Sequence, residues 1–369
     1  MNKMLSDRTN KMDASAYKRI FDLIHSRKDM VNLSVGQAHY DVPEPIKAVA
    51  AKAINDGFNK YTPTQGLPEL VEKLKTTIER NTGHNPYGVM VTNGAAGALL
   101  LAFMVLLDAG DDALVPDPYF LSYLNILATC DANPVFIDTC PDFKLTPEKI
   151  EKSITPRTKI LIFNNPVNPT GVAYTEKEIK AIADVAARHR ITVISDEVYD
   201  HFSYDFPHVS ALKFHPENTA YVNAFSKTYG VPGWRMGYLA VPEWMWDKVT
   251  MLQQFSYVCT PAPFQKAMLF ALDFDMSMYH SEYEKKRDIA CEMLKGAFEF
   301  VKPQGTFYIY VKVPFGTDLE FIEKAAQNGL LLIPGSACSQ RHTHFRMSFA
   351  APDEKLIKGL NILRSLVTK

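Results

Sequence analysis

The feature that most constrains the fold is an alternation of short β-rich runs with helical segments between about residues 88 and 245. Such runs are typical of buried strands, and the predicted strands are residues 89–92, 113–115, 135–137, 160–163, 191–194 and 221–223. A capping-box pattern, Thr175 with Glu178, begins the helix after the fourth of these strands. Because strands that alternate with helices form a mostly parallel sheet, the sequence predicts an α/β protein. Its ligand is expected at the carboxyl ends of the strands.

A second, smaller module is predicted from residue 263 to the end of the chain. Its elements are, in order, an alternating strand at residues 307–313, a capped helix at 317–328, a strand at 345–349 and a closing helix from Asp353. We therefore predict a large domain over residues 45–262 and a small domain made of residues 1–44 and 263–369.

Charge and composition narrow the class of ligand. The chain has 40 Lys and Arg against 41 Asp and Glu, interspersed, so no basic face is available for nucleic acid or an anionic membrane. The longest apolar stretch, residues 95–107, is too short to span a bilayer, and residues 1–13 lack the apolar segment of a secretory signal. The five cysteines show neither CxxC pairs nor zinc spacing, so we expect reduced thiols and no metal site. We predict a cytoplasmic protein with a small-molecule ligand.

A lysine follows the last of the predicted strands. Residues 226–238 read Ser-Lys-Thr-Tyr-Gly-Val-Pro-Gly-Trp-Arg-Met-Gly-Tyr, which puts Lys227 in a turn. Its amine can form a Schiff base with an aldehyde cofactor if its surroundings let it lose a proton. Eight residues later, Arg235 carries a guanidinium fork suited to a phosphate. These two charges alone would be ordinary surface residues, so the case depends on the other strand ends.

Two further strands end in polar side chains. Residues 191–195 lead into Asp196, whose carboxylate can pair with a protonated pyridine nitrogen, and into Tyr199, whose hydroxyl can donate to a phenolic oxygen on such a ring. A turn or helix-cap role is the alternative for Asp196. Residues 159–163 lead into Asn168, which is flanked by prolines that restrict its backbone.

Two weaker indications of a cofactor site lie earlier in the chain. Residues 93–97, Asn-Gly-Ala-Ala-Gly, begin a long apolar helix, and small residues at a helix start expose N–H groups to an anion. The next strand leads to residues 117–123, where an aromatic ring can lie against a flat cofactor. Core packing explains one such ring equally well.

Together, in this order and over nearly the whole chain, the segments resemble the class I/II, fold type I aminotransferases that depend on pyridoxal 5'-phosphate (PLP). The motifs that carry the resemblance are the Asn-Pro-x-Asn-Pro-Thr-Gly run at residues 165–171, the Ser-Asp-Glu-x-Tyr run at 195–199 and the run at 226–238. The resemblance implies a large domain with a mostly parallel seven-stranded sheet, a smaller α+β domain and PLP as cofactor.

The resemblance also implies roles for individual residues. Lys227 is the Schiff-base lysine, Asp196 the partner of the pyridine nitrogen, and Asn168 and Tyr199 the partners of the phenolic oxygen. The remaining implied cofactor contacts are Arg235, Gly94, Ala95, Ala96 and Ser226 at the phosphate, Phe120 on the ring, and Tyr61 at the phosphate of the neighbouring subunit. The last contact implies a homodimer with shared active sites.

For the substrate, the resemblance implies two contacts and shows two departures. Arg346, within residues 345–349, grips the α-carboxylate through a bidentate pair, and the backbone at Gly36 approaches the same group. Residues 36–40 read Gly-Gln-Ala-His-Tyr where the family often reads Gly-Glu-Pro-Asp-Phe, so we expect an unusual substrate-facing entrance. Ala224 replaces a hydroxyl residue or glycine, which predicts one lost phosphate contact.

The predicted function is transfer of the α-amino group of an L-amino acid, such as aspartate or an aromatic one, to a 2-oxo acid with ping-pong kinetics. A carbon–sulfur β-lyase on the same fold would use the same cofactor contacts and is one alternative. A PLP-binding regulator without catalysis is another, although the chain carries no DNA-binding module. A nucleotide-binding protein is disfavoured because no GxGxxG or Walker loop follows a strand.

Overall fold

The computed structural model describes residues 6–12 and 30–367, and its strands account for the alternation in the sequence. They are β1 Val31–Asn32, β2 Gly88–Asn93, β3 Asp112–Asp117, β4 Asn133–Asp138, β5 Thr158–Asn164, β6 Thr192–Asp196, β7 Thr219–Ala224, β8 Met236–Val241, β9 Tyr308–Lys312, β10 Leu330–Leu331, β11 Ile333–Pro334 and β12 His344–Ser348.

Thirteen α-helices are found in the described residues. They are α1 Asp7–Asn10, α2 Glu44–Asn55, α3 Pro68–Thr82, α4 Gly94–Leu106, α5 Ser122–Thr129, α6 Pro147–Ser153, α7 Glu176–Arg188, α8 Phe225–Thr228, α9 Glu243–Ser256, α10 Ala262–Ala271, α11 Ser277–Leu294, α12 Asp318–Gln327 and α13 Asp353–Ser365. In the part of the chain that is described, no helix combines the length and apolar character needed to cross a membrane.

The central sheet has seven strands in the order β2-β8-β7-β6-β5-β3-β4. β8 runs antiparallel to both neighbours, whereas every other pair is parallel. The prediction of a mostly parallel seven-stranded sheet is confirmed. All six strands predicted from the sequence occur, and the seventh, β8, falls inside and just after the run at residues 226–238.

The apolar helix α4 lies against the middle of this sheet. Its side chains pack on β7 and β8 and are covered in turn by α5 and α9, so it is buried on nearly all sides. This explains why its sequence is almost uniformly apolar rather than amphipathic. Because α4 begins directly after β2, its N-terminus lies at the edge of the sheet where the parallel strands end.

The smaller α+β part is built on the three-stranded sheet β11-β12-β9, with β1 paired to β10 beside it. Its apolar cluster includes Phe321, Phe345 and Leu360, all fully buried. The predicted helix at residues 317–328 is α12, which begins with the capping box Thr317–Glu320. Helix α10, which begins at residue 262, packs on α2 and α3, and the domain boundaries themselves stay a prediction.

Candidate active site

The carboxyl ends of β5, β6 and β7, the start of α4 and the strands β9 and β12 surround a cleft of about 940 Å³, open mouth included. All the residues predicted for the site line this cleft except Gly94 and Tyr61. Gly94 is directly behind it, next to Arg235, whereas Tyr61 is 85% exposed on the single chain.

Lys227 lies in α8, one helical turn that follows β7. The residue is half-buried, and its amine donates a hydrogen bond of 2.6 Å to the carbonyl oxygen of Gly36. Burial of the amine, aided by the positive charges of Arg346 and Arg235 and opposed by Asp196, lowers its pKa to about 8. An amine that loses its proton this readily is suited to nucleophilic attack on a carbonyl.

Asp196 ends β6 and is buried. Its Oδ2 accepts a hydrogen bond of 2.6 Å from the hydroxyl of Tyr123, but its Oδ1 has no partner among the described residues. Burial raises the pKa of Asp196 to about 6. Because a buried acceptor without a donor is costly, this oxygen marks a place where a ligand N–H belongs.

Tyr199 faces a tyrosine that sequence reasoning missed. The hydroxyls of Tyr199 and Tyr308 are 3.0 Å apart, and the amine of Lys227 is 5.9 Å from the centre of the Tyr199 ring. Burial raises the pKa of Tyr199 well above its ordinary value, so its hydroxyl stays protonated and can donate.

Arg346, on β12, is held on three sides. It donates hydrogen bonds of 3.0 Å to Asn168 Oδ1 and to the carbonyl oxygen of Ser34, and its guanidinium lies 4.4 Å from the centre of the Tyr308 ring. Its buried Nε has no partner in the described structure. A fixed guanidinium with a spare donor is suited to a carboxylate.

The start of α4 has the features of an anion site. No side chain caps this helix, and Arg235 approaches it by donating to the carbonyl oxygen of Asn93 at 3.2 Å. Gly94 has φ +67°, a conformation that favours glycine, and a Cβ there would lie 2.6 Å from Arg235 Nη2 and displace the guanidinium. Free helix N–H groups beside a guanidinium favour a phosphate.

The other predicted contacts complete the walls. Phe120 packs edge-to-face on Tyr123 with the ring centres 5.5 Å apart, and Ala95, Ala96 and Ser226 line the cleft. A Cβ at Gly36 would meet the hydroxyl of Tyr308 at 2.1 Å, so only glycine fits there.

The substrate-facing entrance, which we expected to be unusual at residues 36–40, is formed from this segment by Gly36 alone. His39 and Tyr40 do not line the cleft. His39 binds Tyr283 and Glu282 on α11 instead. Ala224 lines the cleft with a methyl group and offers no side-chain hydrogen bond.

Three residues escaped sequence reasoning: Tyr123, Tyr308 and Ser34. Tyr123 lies in the run at residues 117–123, but nothing in that run indicates a bond to Asp196, 73 positions later. Tyr308 falls in the alternating strand predicted at 307–313, whose pattern shows two faces without saying which one meets the cleft.

Comparison with known proteins gives the family. Residues 28–361 match the family model for class I and II aminotransferases. This chain belongs to that family. A probable aspartate aminotransferase of Methanocaldococcus jannaschii is 34% identical over 98% of this chain and 100% of that protein. A probable N-acetyl-LL-diaminopimelate aminotransferase of Bacillus subtilis is 32% identical over 100% of this chain and 97% of that protein.

Solved structures of aminotransferases agree with the fold. The Thermus thermophilus aspartate aminotransferase with maleate superposes with a TM-score of 0.94 at 31% identity, covering 98% of this chain and 99% of that one. As a class I/II aminotransferase, the chain is a PLP-dependent enzyme of fold type I, as predicted. The relatives described are all named aminotransferases, so the lyase and regulator alternatives gain no support.

Proposed function

We propose that this aminotransferase binds PLP in the cleft through Lys227 and moves the α-amino group of aspartate or an aromatic amino acid to a 2-oxo acid. One juxtaposition carries the proposal. An amine with a lowered pKa and a buried carboxylate oxygen without a partner, on Asp196, line the same cleft.

The residues of the cleft fit the ring of this cofactor. When bound, PLP supplies a ring that withdraws electrons from the α-carbon of the substrate. Asp196 Oδ1 accepts the N–H of the ring nitrogen, which completes its hydrogen bonding and keeps that nitrogen protonated. Tyr199 donates its hydroxyl to the phenolic oxygen. Since Asn168 Oδ1 accepts from Arg346, the Nδ2 of Asn168 is the group that donates to the same oxygen.

The phosphate and the ring face have their own contacts. Arg235, the hydroxyl of Ser226 and the N–H groups of Gly94, Ala95 and Ala96 at the start of α4 bind the phosphate. Support comes from the uncapped helix and from the close approach of the guanidinium. Phe120 covers one face of the ring, where an aromatic side chain packs well on a flat heterocycle.

The substrate is oriented by its α-carboxylate. Arg346 forms the ion pair, with the backbone of Gly36 and the amide of Asn168 beside it. Such positioning aligns the bond from the α-carbon to its hydrogen for removal. The free amine of Lys227 then takes that proton at Nζ and returns it, a task for which a lowered pKa is suited.

We propose further that the enzyme is a cytoplasmic homodimer. Tyr61 and Phe255 are each 85% exposed on the single chain, so both rings are accessible to a neighbouring subunit. In the dimer, Tyr61 reaches the phosphate bound by the neighbouring subunit. The five cysteines are free thiols, in keeping with a reducing compartment.

The donor class follows the names of relatives, which include an aspartate aminotransferase of Pyrococcus abyssi and an aromatic-amino-acid aminotransferase of Thermococcus litoralis. A panel of amino donors against 2-oxoglutarate and pyruvate tests it. Activity with aspartate or aromatic donors is expected. Pyruvate release from cystathionine without any 2-oxo acid would instead indicate a β-lyase.

Lys227→Ala tests the central residue. We expect loss of the borohydride-reducible PLP adduct on the peptide that contains position 227, and a fall in turnover of about 10²–10⁴-fold. Mass spectrometry of the reduced, digested enzyme and steady-state kinetics measure the two effects. Lys213→Ala is the control, because Lys213 is an exposed lysine paired with Glu176. Normal turnover in Lys227→Ala, or a wild-type adduct on another lysine, would refute the assignment.

A further inference from the structure

The segment at residues 36–40 contacts the turn that carries Lys227 at two points. At one end, the carbonyl oxygen of Gly36 accepts from the Lys227 amine at 2.6 Å. At the other, the hydroxyl of Tyr40 lies 3.2 Å from the carbonyl oxygen of Lys227 and 3.0 Å from that of Thr228, and its single O–H is shared between them. One short loop therefore holds both the side chain and the backbone of this lysine.

The two carbonyl groups need a donor from outside the turn. They end α8, a helix of four residues, and the last carbonyls of a helix have no partner within it. In a longer helix, the N–H of residue 232 would pair with the carbonyl of Thr228, but Pro232 has no N–H. His280 Nε2 lies 3.3 Å from the carbonyl oxygen of Thr228 and can donate to it, whereas the carbonyl of Lys227 is within reach of the Tyr40 hydroxyl at 3.2 Å. Because buried carbonyl groups require hydrogen bonds, the Tyr40 hydroxyl helps to fill a gap that the chain creates here.

Tyr40 is itself fixed in place. Its ring lies 4.8 Å from the ring of Tyr279 and 6.1 Å from that of Tyr283, both on α11. The chain after Lys227 passes close to it, because a Cβ at Gly230 would come within 3.0 Å of the Tyr40 ring. The hydroxyl is therefore held at the carbonyls by packing of the ring against α11 and against the turn after Lys227.

We propose that Tyr40 is a positioning residue for Lys227, holding the turn so that the amine keeps one direction within the cleft. The proposal rests on the proposed role of Lys227. It concerns a feature of this chain rather than of the family pattern, since residue 40 stands where that pattern often has phenylalanine, which has no hydroxyl. Tyr40 acts through the backbone of the lysine and does not line the cleft.

Tyr40→Phe tests this inference, because it keeps the ring and removes only the hydroxyl. In the holoenzyme, we expect the pH midpoint of the visible cofactor band to shift from its wild-type value. In cofactor-free protein supplied with PLP, we expect borohydride-trapped adduct at position 227 to form about two- to tenfold more slowly, the range one hydrogen bond supplies. Tyr279→Phe is the matched control, since it removes a hydroxyl from the neighbouring ring, and it should leave both measurements unchanged.

The outcomes separate this inference from the proposed function. If the wild-type enzyme forms the adduct at position 227 but Tyr40→Phe behaves like it in both measurements, the role of Tyr40 is wrong and that of Lys227 stands. Equal shifts in Tyr40→Phe and Tyr279→Phe would also overturn the inference, because they would reflect general loosening of the aromatic cluster. Absence of a wild-type adduct at position 227 would instead refute the proposed function.

Discussion

Asp196 and Glu197 are neighbours at the end of β6, both buried, and their side chains have opposite surroundings. The hydrogen bonds of the Glu197 carboxylate are completed within the protein. It accepts from the hydroxyls of Ser195 at 2.5 Å and Ser210 at 2.7 Å and pairs with His208 Nε2 at 2.7 Å. Asp196 accepts one side-chain hydrogen bond and has one oxygen without a partner in the described structure.

The pleat of the strand explains the difference. Successive side chains of a strand point to opposite faces, so Ser195 and Glu197 share one face while Asp196 faces the other, where the cleft lies. A carboxylate that builds structure has its hydrogen bonds completed by the chain. A carboxylate that binds a ligand has a hydrogen bond left open for that ligand, at a cost to the ligand-free protein.

Asp196→Asn tests the cleft side of this comparison and should have the largest effect. Without the carboxylate to hold the ring nitrogen protonated, turnover should fall by about 10²–10³-fold. The cofactor-free variant, in contrast, should be more stable than wild type. Steady-state kinetics and urea unfolding at about pH 7.5 measure the two effects.

The sign of the stability effect follows from the pKa. Burial raises the pKa of Asp196 to about 6, above the ordinary value of about 3.9. The contribution of Asp196 to wild-type stability therefore falls as pH rises from about 3.9 to about 6 and stays lower above it, by about 3 kcal/mol. Asparagine carries no charge that burial could penalise, so the stability gain of Asp196→Asn over wild type should disappear near pH 4. A variant that is less stable than wild type at pH 7.5 would mean that Asp196 supports the fold.

Glu197→Gln tests the structural side of the comparison. An amide cannot accept all the hydrogen bonds that the carboxylate accepts, so the free energy of unfolding should fall by about 1–3 kcal/mol. The visible band of the bound cofactor should keep its position, because Glu197 does not line the cleft. Denaturant unfolding and absorbance spectra measure the two effects.

A matched control for that prediction is Glu176→Gln. Glu176 is an exposed carboxylate paired with Lys213, and such pairs contribute at most about 1 kcal/mol. Equal losses of stability in the two variants would show that the buried network around Glu197 contributes no more than a surface ion pair.

The gathering of the site residues in one cleft could be predicted because their motifs are local. Lys227, Asp196 and Asn168 each follow a β-rich run, and parallel strands bring their carboxyl ends together at one edge of a sheet. The capping box of Thr175 and Glu178 likewise depends on residues within one turn and is found at the start of α7. Short-range patterns of this kind determine where an element ends and where the next one begins.

What could not be predicted depends on contacts between distant segments. The two-residue strands β1 and β10 pair across nearly three hundred positions, and no periodicity exists in two residues. β8 could not be predicted as a strand of the sheet, since its sequence does not reveal that it pairs antiparallel with β7. The role of Glu197 was equally hidden, because its partners at positions 208 and 210 come from a later loop.

The smallest effect expected is a pH dependence within the Glu197 network. Burial alone would lower the pKa of His208, but the hydrogen bond and negative charge of Glu197 outweigh it and the pKa is raised. Protonated His208 therefore adds stability that is fully present below its unfolded pKa of about 6.5 and is lost as pH rises through the higher folded value. The stability difference between wild type and Glu197→Gln should accordingly be larger at about pH 5.5 than at about pH 8.5. Unfolding titrations at the two pH values measure it, and an equal difference at both would mean that His208 gains no stabilisation from the charge of Glu197.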